Sequence, residues 1–172
     1  RVYFKQIIEY ARSINIPRLP ITTVYGPSES YNDQTADFLD VVCVNRYYGW
    51  YINPGRLDLI ENSLYNDLST WHEHFPKKPL LITEYGSEAI PGLHRLPSFV
   101  FTEDYQVEVY NRTHRALDRL KAEKKLAGEL VWVFADFMTE QEITRVVGNH
   151  KGIFTRQREP KAAAYALRER YG

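Results

Sequence analysis

One cysteine, one methionine and no excess of either charge are the first features of this 172-residue chain. A single thiol, Cys43, rules out an internal disulfide framework. Its place in the run Val41-Val42-Cys43-Val44 predicts a buried, inert core residue rather than a reactive one. Lysine and arginine number 22, as do aspartate and glutamate, so no overall field draws the chain to nucleic acid or an anionic membrane. Any recognition of an anion must therefore be local. No apolar run approaches the ~20 residues of a membrane span. No cluster of His, Cys, Asp and Glu has ligand spacing, so neither a metal nor another cofactor is expected.

What the chain has in quantity is aromatic side chains, 14% of the total with 13 tyrosines and 3 tryptophans. Flat amphipathic rings line sugar clefts, and they also fill ordinary cores. A hydrophobic share of 44% against 26% charged residues places the chain among folded globular domains rather than disordered ones. The sequon Asn111-Arg112-Thr113 hints at a secretory route, although such triplets also arise by chance.

Val2, Phe4, Ile7, Ile8 and Ala11 recur at helical spacing, and Pro17 and Pro20 close that segment. Ile21–Val24 and Val41–Val44 read as apolar strands, with a polar loop over Gly26–Gln34 between them. Leu57–Trp71 has helical spacing. Pro79–Thr83 is the third strand and ends on Glu84-Tyr85-Gly86. Thr102–Lys121 reads as a long amphipathic helix carrying Tyr105, Val109, Tyr110, Leu117 and Leu120 on its apolar side. A fourth strand, Glu129–Phe134, runs into a long loop, and a helix over about Pro160–Arg168 closes the chain. Strands that are continuously apolar and alternate with helices predict a parallel α/β sheet covered on both faces. An open doubly wound sheet and part of a (β/α)₈ barrel both fit, and both place function at the C-terminal ends of the strands.

Polar and aromatic residues collect at those ends. The second strand runs into Asn45-Arg46-Tyr47-Tyr48-Gly49-Trp50-Tyr51, the third into Thr83-Glu84-Tyr85-Gly86, and the fourth includes Trp132. Glu84 follows the apolar run 79–83 and must lie at the mouth of the sheet. A carboxylate there can attack an anomeric carbon if a second carboxyl group protonates the leaving oxygen. Position alone fits a structural glutamate paired with an arginine equally well. Composition alone would make Trp132 a core residue, and Arg145–Lys151 a solvated basic loop. His94 reads as a structural loop residue.

Taken together, Thr83-Glu84-Tyr85-Gly86 and the Asn45–Tyr51 motif resemble glycoside hydrolase family 2. Trp132-Val133-Phe134-Ala135-Asp136-Phe137 and Gly148-Asn149-His150-Lys151-Gly152-Ile153-Phe154-Thr155-Arg156 narrow the resemblance to the family's β-glucuronidases. The resemblance runs from the first residues to the last. It implies the C-terminal half of a (β/α)₈ TIM barrel, about strands 5–8, with the nucleophile on the seventh strand; counting back from the last strand puts Glu84 there. It further implies a retaining exo-β-D-glucuronidase in which Glu84 forms the covalent intermediate. Asn149 and Lys151 would hold the substrate's carboxylate, with Arg145 beside them. Of Tyr47 and Tyr51, one would donate a hydrogen bond near the nucleophile and the other border the sugar, and Trp132 would underlie the ring. A lysosomal or secreted setting and a homo-oligomer follow by the same resemblance.

Two departures qualify it. The family commonly has asparagine after Trp132, and Val133 stands here. No Asn-Glu dipeptide, which carries the family's general acid/base, occurs in the 172 residues, and the chain is shorter than the ~250 residues of a complete barrel. The expectation is that the acid comes from the rest of the barrel or from another chain, that this segment alone is inactive, and that its four strands have edges to be covered. The rival readings are a β-galactosidase or β-mannosidase of the same family, which the Asn149/Lys151 pair argues against, and a non-catalytic structural half-barrel.

Overall fold

The computed structural model describes residues 1–14 and 18–172. Helix α1 spans Val2–Ile14, as its apolar spacing requires, although only Ile8 of that face is buried. Pro17, read as one of its terminators, lies outside the described residues. Four strands follow: β1 (Val24–Tyr25), β2 (Val42–Asn45), β3 (Leu80–Glu84) and β4 (Gly128–Glu129). Helices α2 (Leu57–His74), α3 (Glu103–Ala122) and α4 (Ala162–Tyr171) follow β2, β3 and β4, and two short 3₁₀ turns occupy the β1–β2 connection.

All pairings are parallel and the spatial order is β1-β2-β3-β4, the order of the sequence. A doubly wound sheet reverses direction at a switch point, whereas a barrel adds strands consecutively. The described sheet does so without closing, which makes it a partial TIM barrel.

The core lies between the sheet and its helices. Val42, Val44, Leu80 and Ile82 pack against Leu64, Leu68 and Trp71 of α2 and Leu117 and Leu120 of α3. Each such aliphatic side chain contributes about 1.5–3 kcal/mol when fully buried. Helix α3 starts on Thr102, whose hydroxyl oxygen accepts the Tyr105 N–H at 3.1 Å, and Glu103 and Asp104 place negative charge at the positive end of the helix dipole. All the apolar residues expected on its inner side are buried, as is Cys43.

The two edge strands depart from expectation. Residues 21–23 are not strand, because side chains take over part of their pairing: the Ile21 carbonyl accepts the Asp40 N–H at 2.8 Å, but the Ile21 N–H donates to the Asp40 carboxylate at 2.8 Å, and the Thr22 hydroxyl donates to the Val41 carbonyl at 2.8 Å. The expected strand Glu129–Phe134 is regular only over Gly128–Glu129. Beyond it, Leu130 and Trp132 still donate to the carbonyls of Ile82 and Tyr85. Val133 and Phe134 then pair with residues 151–154, a loop rather than a strand. Cover on both faces holds for β2, but in β3 Leu80 and Ile82 are buried while Leu81 and Thr83 are only half-buried.

Candidate active site

At the C-terminal ends of β2 and β3 the register slips between Val44 and Asn45, so that Asn45 aligns with Glu84 instead of Thr83. Such an irregularity re-aims the side chains beyond it. The Thr83 hydroxyl donates to the Asn45 side-chain oxygen at 2.8 Å, and the Arg46 N–H donates to the Glu84 carbonyl at 2.9 Å. Both contacts fasten the two strand ends together. Arg46 itself turns away, buried against Asp67 and the carbonyls of Gly26 and Ser28. No arginine pairs with Glu84 among the described residues, as the structural alternative would have required.

Tyr47 then reaches across, and its hydroxyl donates to Glu84 Oε2 at 2.6 Å. Burial, and next the carboxylate it serves, push the Tyr47 pKa far above a phenol's usual value, so it remains a neutral donor at any working pH. Gly86, two residues after Glu84, has φ +142°, and a Cβ there would sit 2.9 Å from the Trp132 carbonyl. Only glycine lets the chain leave β3 this close to residue 132.

Beside Tyr47 the ring of Tyr51 packs edge-to-face at 5.1 Å. Lys151 Nζ donates to the Tyr51 hydroxyl at 2.9 Å, and Arg145 donates to the same oxygen. Burial alone would raise the Tyr51 pKa; the two cationic donors outweigh it and bring the phenol below its usual value. Lys151 is buried, with its ammonium 5.6, 5.0 and 4.7 Å from the ring centres of Tyr47, Trp50 and Tyr51. That is the geometry of cation–π attraction. Asn149 stands next to it in the chain, its side-chain oxygen accepting the Lys151 N–H at 3.0 Å, which leaves its NH₂ free to donate elsewhere.

Glu84, Tyr47, Tyr51, Arg145, Lys151 and Asn149 therefore form one continuous chain of contacts. Trp132 stands beside this chain of contacts rather than in it, its backbone N–H donating to the Tyr85 carbonyl at 3.1 Å. Its ring is half-exposed, not core, and lies edge-on to Phe137 at 6.4 Å. Val133 uses backbone groups, with its N–H donating to the Lys151 carbonyl and its carbonyl accepting from Ile153. Any side chain can make those contacts. His94, in the loop before α3, lies 3.2 Å from Asp104 in the helix's first turn and outside the contact chain.

Three charged residues were not anticipated. Glu88 is fully buried, with Oε1 3.0 Å from Lys151 Nζ and 2.6 Å from Arg145 Nη1. Asp136 bridges Lys161 Nζ at 3.0 Å and His150 Nδ1 at 2.9 Å. Burial pulls the Lys161 pKa down against the opposing pull of Asp136, and its ammonium also donates to the carbonyls of Ala89 and His150. The only linear signal for Glu88 was a carboxylate standing alone in the small and apolar stretch 85–90.

The chain is similar to known proteins along its whole length. The sequence pattern of glycosyl hydrolases family 2, TIM barrel domain, matches residues 1–172. A beta-glucuronidase of Paenibacillus borealis is 49% identical over 170 residues, covering 99% of this chain and 28% of the relative. The Homo sapiens beta-glucuronidase is 47% identical over 169 residues, covering 98% of this chain and 25% of that protein. Among solved structures, a beta-glucuronidase of an uncultured Clostridium sp. superposes with a TM-score of 0.92 at 45% identity, over 99% of this chain and 29% of the other. This chain thus spans between a quarter and three-tenths of the length of these relatives.

Proposed function

The chain belongs to glycosyl hydrolase family 2, and from that premise we propose that it supplies the nucleophile and the uronate-binding side of a retaining exo-β-D-glucuronidase, its strands being the fifth to eighth of the barrel. The observation that carries this reading is the juxtaposition of Glu84, held by the Tyr47 hydroxyl at 2.6 Å, with the cations Lys151 and Arg145 on the far side of the Tyr47–Tyr51 pair. A terminal β-glucuronide presents an anomeric carbon to be attacked and, at C6, a carboxylate to be bound. The chain offers one group for each.

In the first step a Glu84 oxygen bonds to the anomeric carbon as the bond to the aglycone oxygen breaks. The bonding pair leaves with that oxygen, which takes a proton from a carboxylic acid within hydrogen-bond reach of it and about 5–5.5 Å from the Glu84 carboxyl group. Water then attacks the same carbon, displaces Glu84 and returns its proton to that acid. Tyr47 stabilises the Glu84 carboxylate before attack and fixes its rotamer. Asn149, Lys151, Arg145 and Tyr51 hold the C6 carboxylate, and Trp132 underlies the ring. Bound without a carboxylate, a neutral hexose leaves the single net positive charge of the Lys151–Arg145–Glu88 cluster without its counter-ion, which is costly and argues against β-galactosidase or β-mannosidase. The acid comes from outside these 172 residues, from the remainder of the barrel or another chain. We therefore expect the segment alone to be inactive on ordinary glucuronides.

A homo-oligomer and a lysosomal or secreted setting complete the proposal; the second rests on likeness to animal enzymes and on Asn111, which is exposed on α3. The test is a complete barrel containing this segment, assayed on aryl β-glucuronide and aryl β-galactoside. Lys151→Ala should cost glucuronide turnover on the order of a hundredfold, far more than any neutral-sugar activity. Equal rates of the parent enzyme on the two substrates would refute the assignment.

A further inference from the structure

Lys151 and Arg145 come from one loop, but what gathers them lies 63 and 57 residues earlier in the chain. Both ammonium and guanidinium nitrogens converge on a single atom, Glu88 Oε1, at 3.0 and 2.6 Å, and both also meet on the Tyr51 hydroxyl. Glu88 and Lys151 have side-chain exposures of 0% and 1%. A buried ion pair adds little to stability, because its desolvation cost offsets the attraction, so its presence calls for another explanation. The backbones are pinned as well. The Ala89 N–H donates to the His150 carbonyl at 3.0 Å, and Gln106 Nε2 lies 2.8 Å from the Ser87 carbonyl and 3.4 and 3.3 Å from those of Lys151 and Gly152.

Resting on the glucuronidase reading, we propose that Glu88 is the positioning residue of the carboxylate subsite and sets its charge. Its one oxygen brings Lys151 and Arg145 to the same point beside Tyr51. Two cations against one carboxylate leave a single net positive charge, which is the complement of one monoanionic carboxylate. An empty subsite with two uncompensated cations would repel itself and splay. With Glu88 between them the two cations are held together beside Tyr51, so substrate binding does not have to order them. Glu88 needs no contact with the sugar to do this.

The experiment uses a complete barrel carrying this segment, with Glu88→Gln, Lys151→Met and the double variant, each checked for an unchanged melting temperature. Kinetics are measured on aryl β-glucuronide and aryl β-glucoside. Glu88→Gln should lower the glucuronide-to-glucoside ratio of kcat/KM on the order of thirtyfold or more, mostly through a higher KM for the glucuronide. In the Lys151→Met background the same change should cost much less, since part of what Glu88 positions is gone. The double variant, in which both buried charges are removed together, keeps the test open if Glu88→Gln alone does not fold; its ratio should lie close to that of Lys151→Met. An unchanged ratio, an equal loss on both substrates, or full additivity with Lys151→Met overturns the proposal. A parent enzyme without preference for the glucuronide would instead overturn the reading on which it rests.

Discussion

Glu84 and Glu88 are one helical turn's worth of sequence apart and live in opposite surroundings. Glu84 is half-buried, and its described hydrogen-bond partner is a neutral phenol. Glu88 is fully buried and bound to two cations through one oxygen. Glu88 is tied to arginine and lysine through Oε1, whereas the Glu84 side chain accepts one described hydrogen bond, from a phenol, and is open to an electrophile. The difference teaches that proximity in sequence says nothing about role: the first glutamate suits attack, and the second suits holding other groups still.

Three experiments press on that contrast. The largest effect belongs to Glu84→Gln in a complete barrel containing this segment, which should remove at least about ten-thousandfold of glucuronide kcat while leaving substrate binding measurable by calorimetry. Residual activity near the parent's would mean the two glutamates have been assigned the wrong way round. Tyr47→Phe deletes the hydrogen bond described for the Glu84 carboxylate. A bond to a charged group contributes about 1.5–3 kcal/mol, so kcat/KM should fall roughly ten- to a hundredfold on charged and neutral substrates alike. That uniform loss is the signature opposite to the substrate-selective one expected at Glu88.

The smallest effect separates the site from the scaffold beneath it. His114, buried on α3 against Tyr85, has its pKa lowered to about 4, chiefly by burial and next by Arg170. The fold therefore favours neutral His114. Its contribution is complete above the unfolded value of ~6.5 and is lost as pH falls through about 4, because the unfolded chain binds the proton first. The full shift corresponds to at most about 3 kcal/mol. His114→Gln should flatten the melting temperature between those pH values without moving the acid limb of kcat/KM; a shifted limb would tie His114 to the site.

How much of this could be read in the chain depended on where each residue's partners lie. Strands β2 and β3 and helix α3 announce themselves because a whole run of apolar residues agrees with its own neighbours. Glu84 follows from the end of such a run. The edges could not be read this way, since residues 21–23 and 130–134 are shaped by Asp40 and by the loop 151–154, contacts that exist only once the sheet is assembled. Lys151 and Asn149 were legible through a local motif. Glu88, Asp136 and Lys161 were not, because each takes its meaning from a residue brought to it by folding: Lys151 and Arg145 for Glu88, Lys161 and His150 for Asp136.

The stitching of residues 87–89 to 150–152 by Gln106 and Lys161 has a practical consequence for anyone redesigning selectivity. Gly152 shows how tight the seam is, since a Cβ there would collide with the Asp136 backbone nitrogen. Positions on β3's exit, on α3 and at the start of α4 are joined by these hydrogen bonds. Saturation libraries confined to the Asn149–Lys151 loop would sample a surface whose backing is locked. Libraries that vary 88, 106 and 161 along with it would let the loop adopt a new shape for a new sugar.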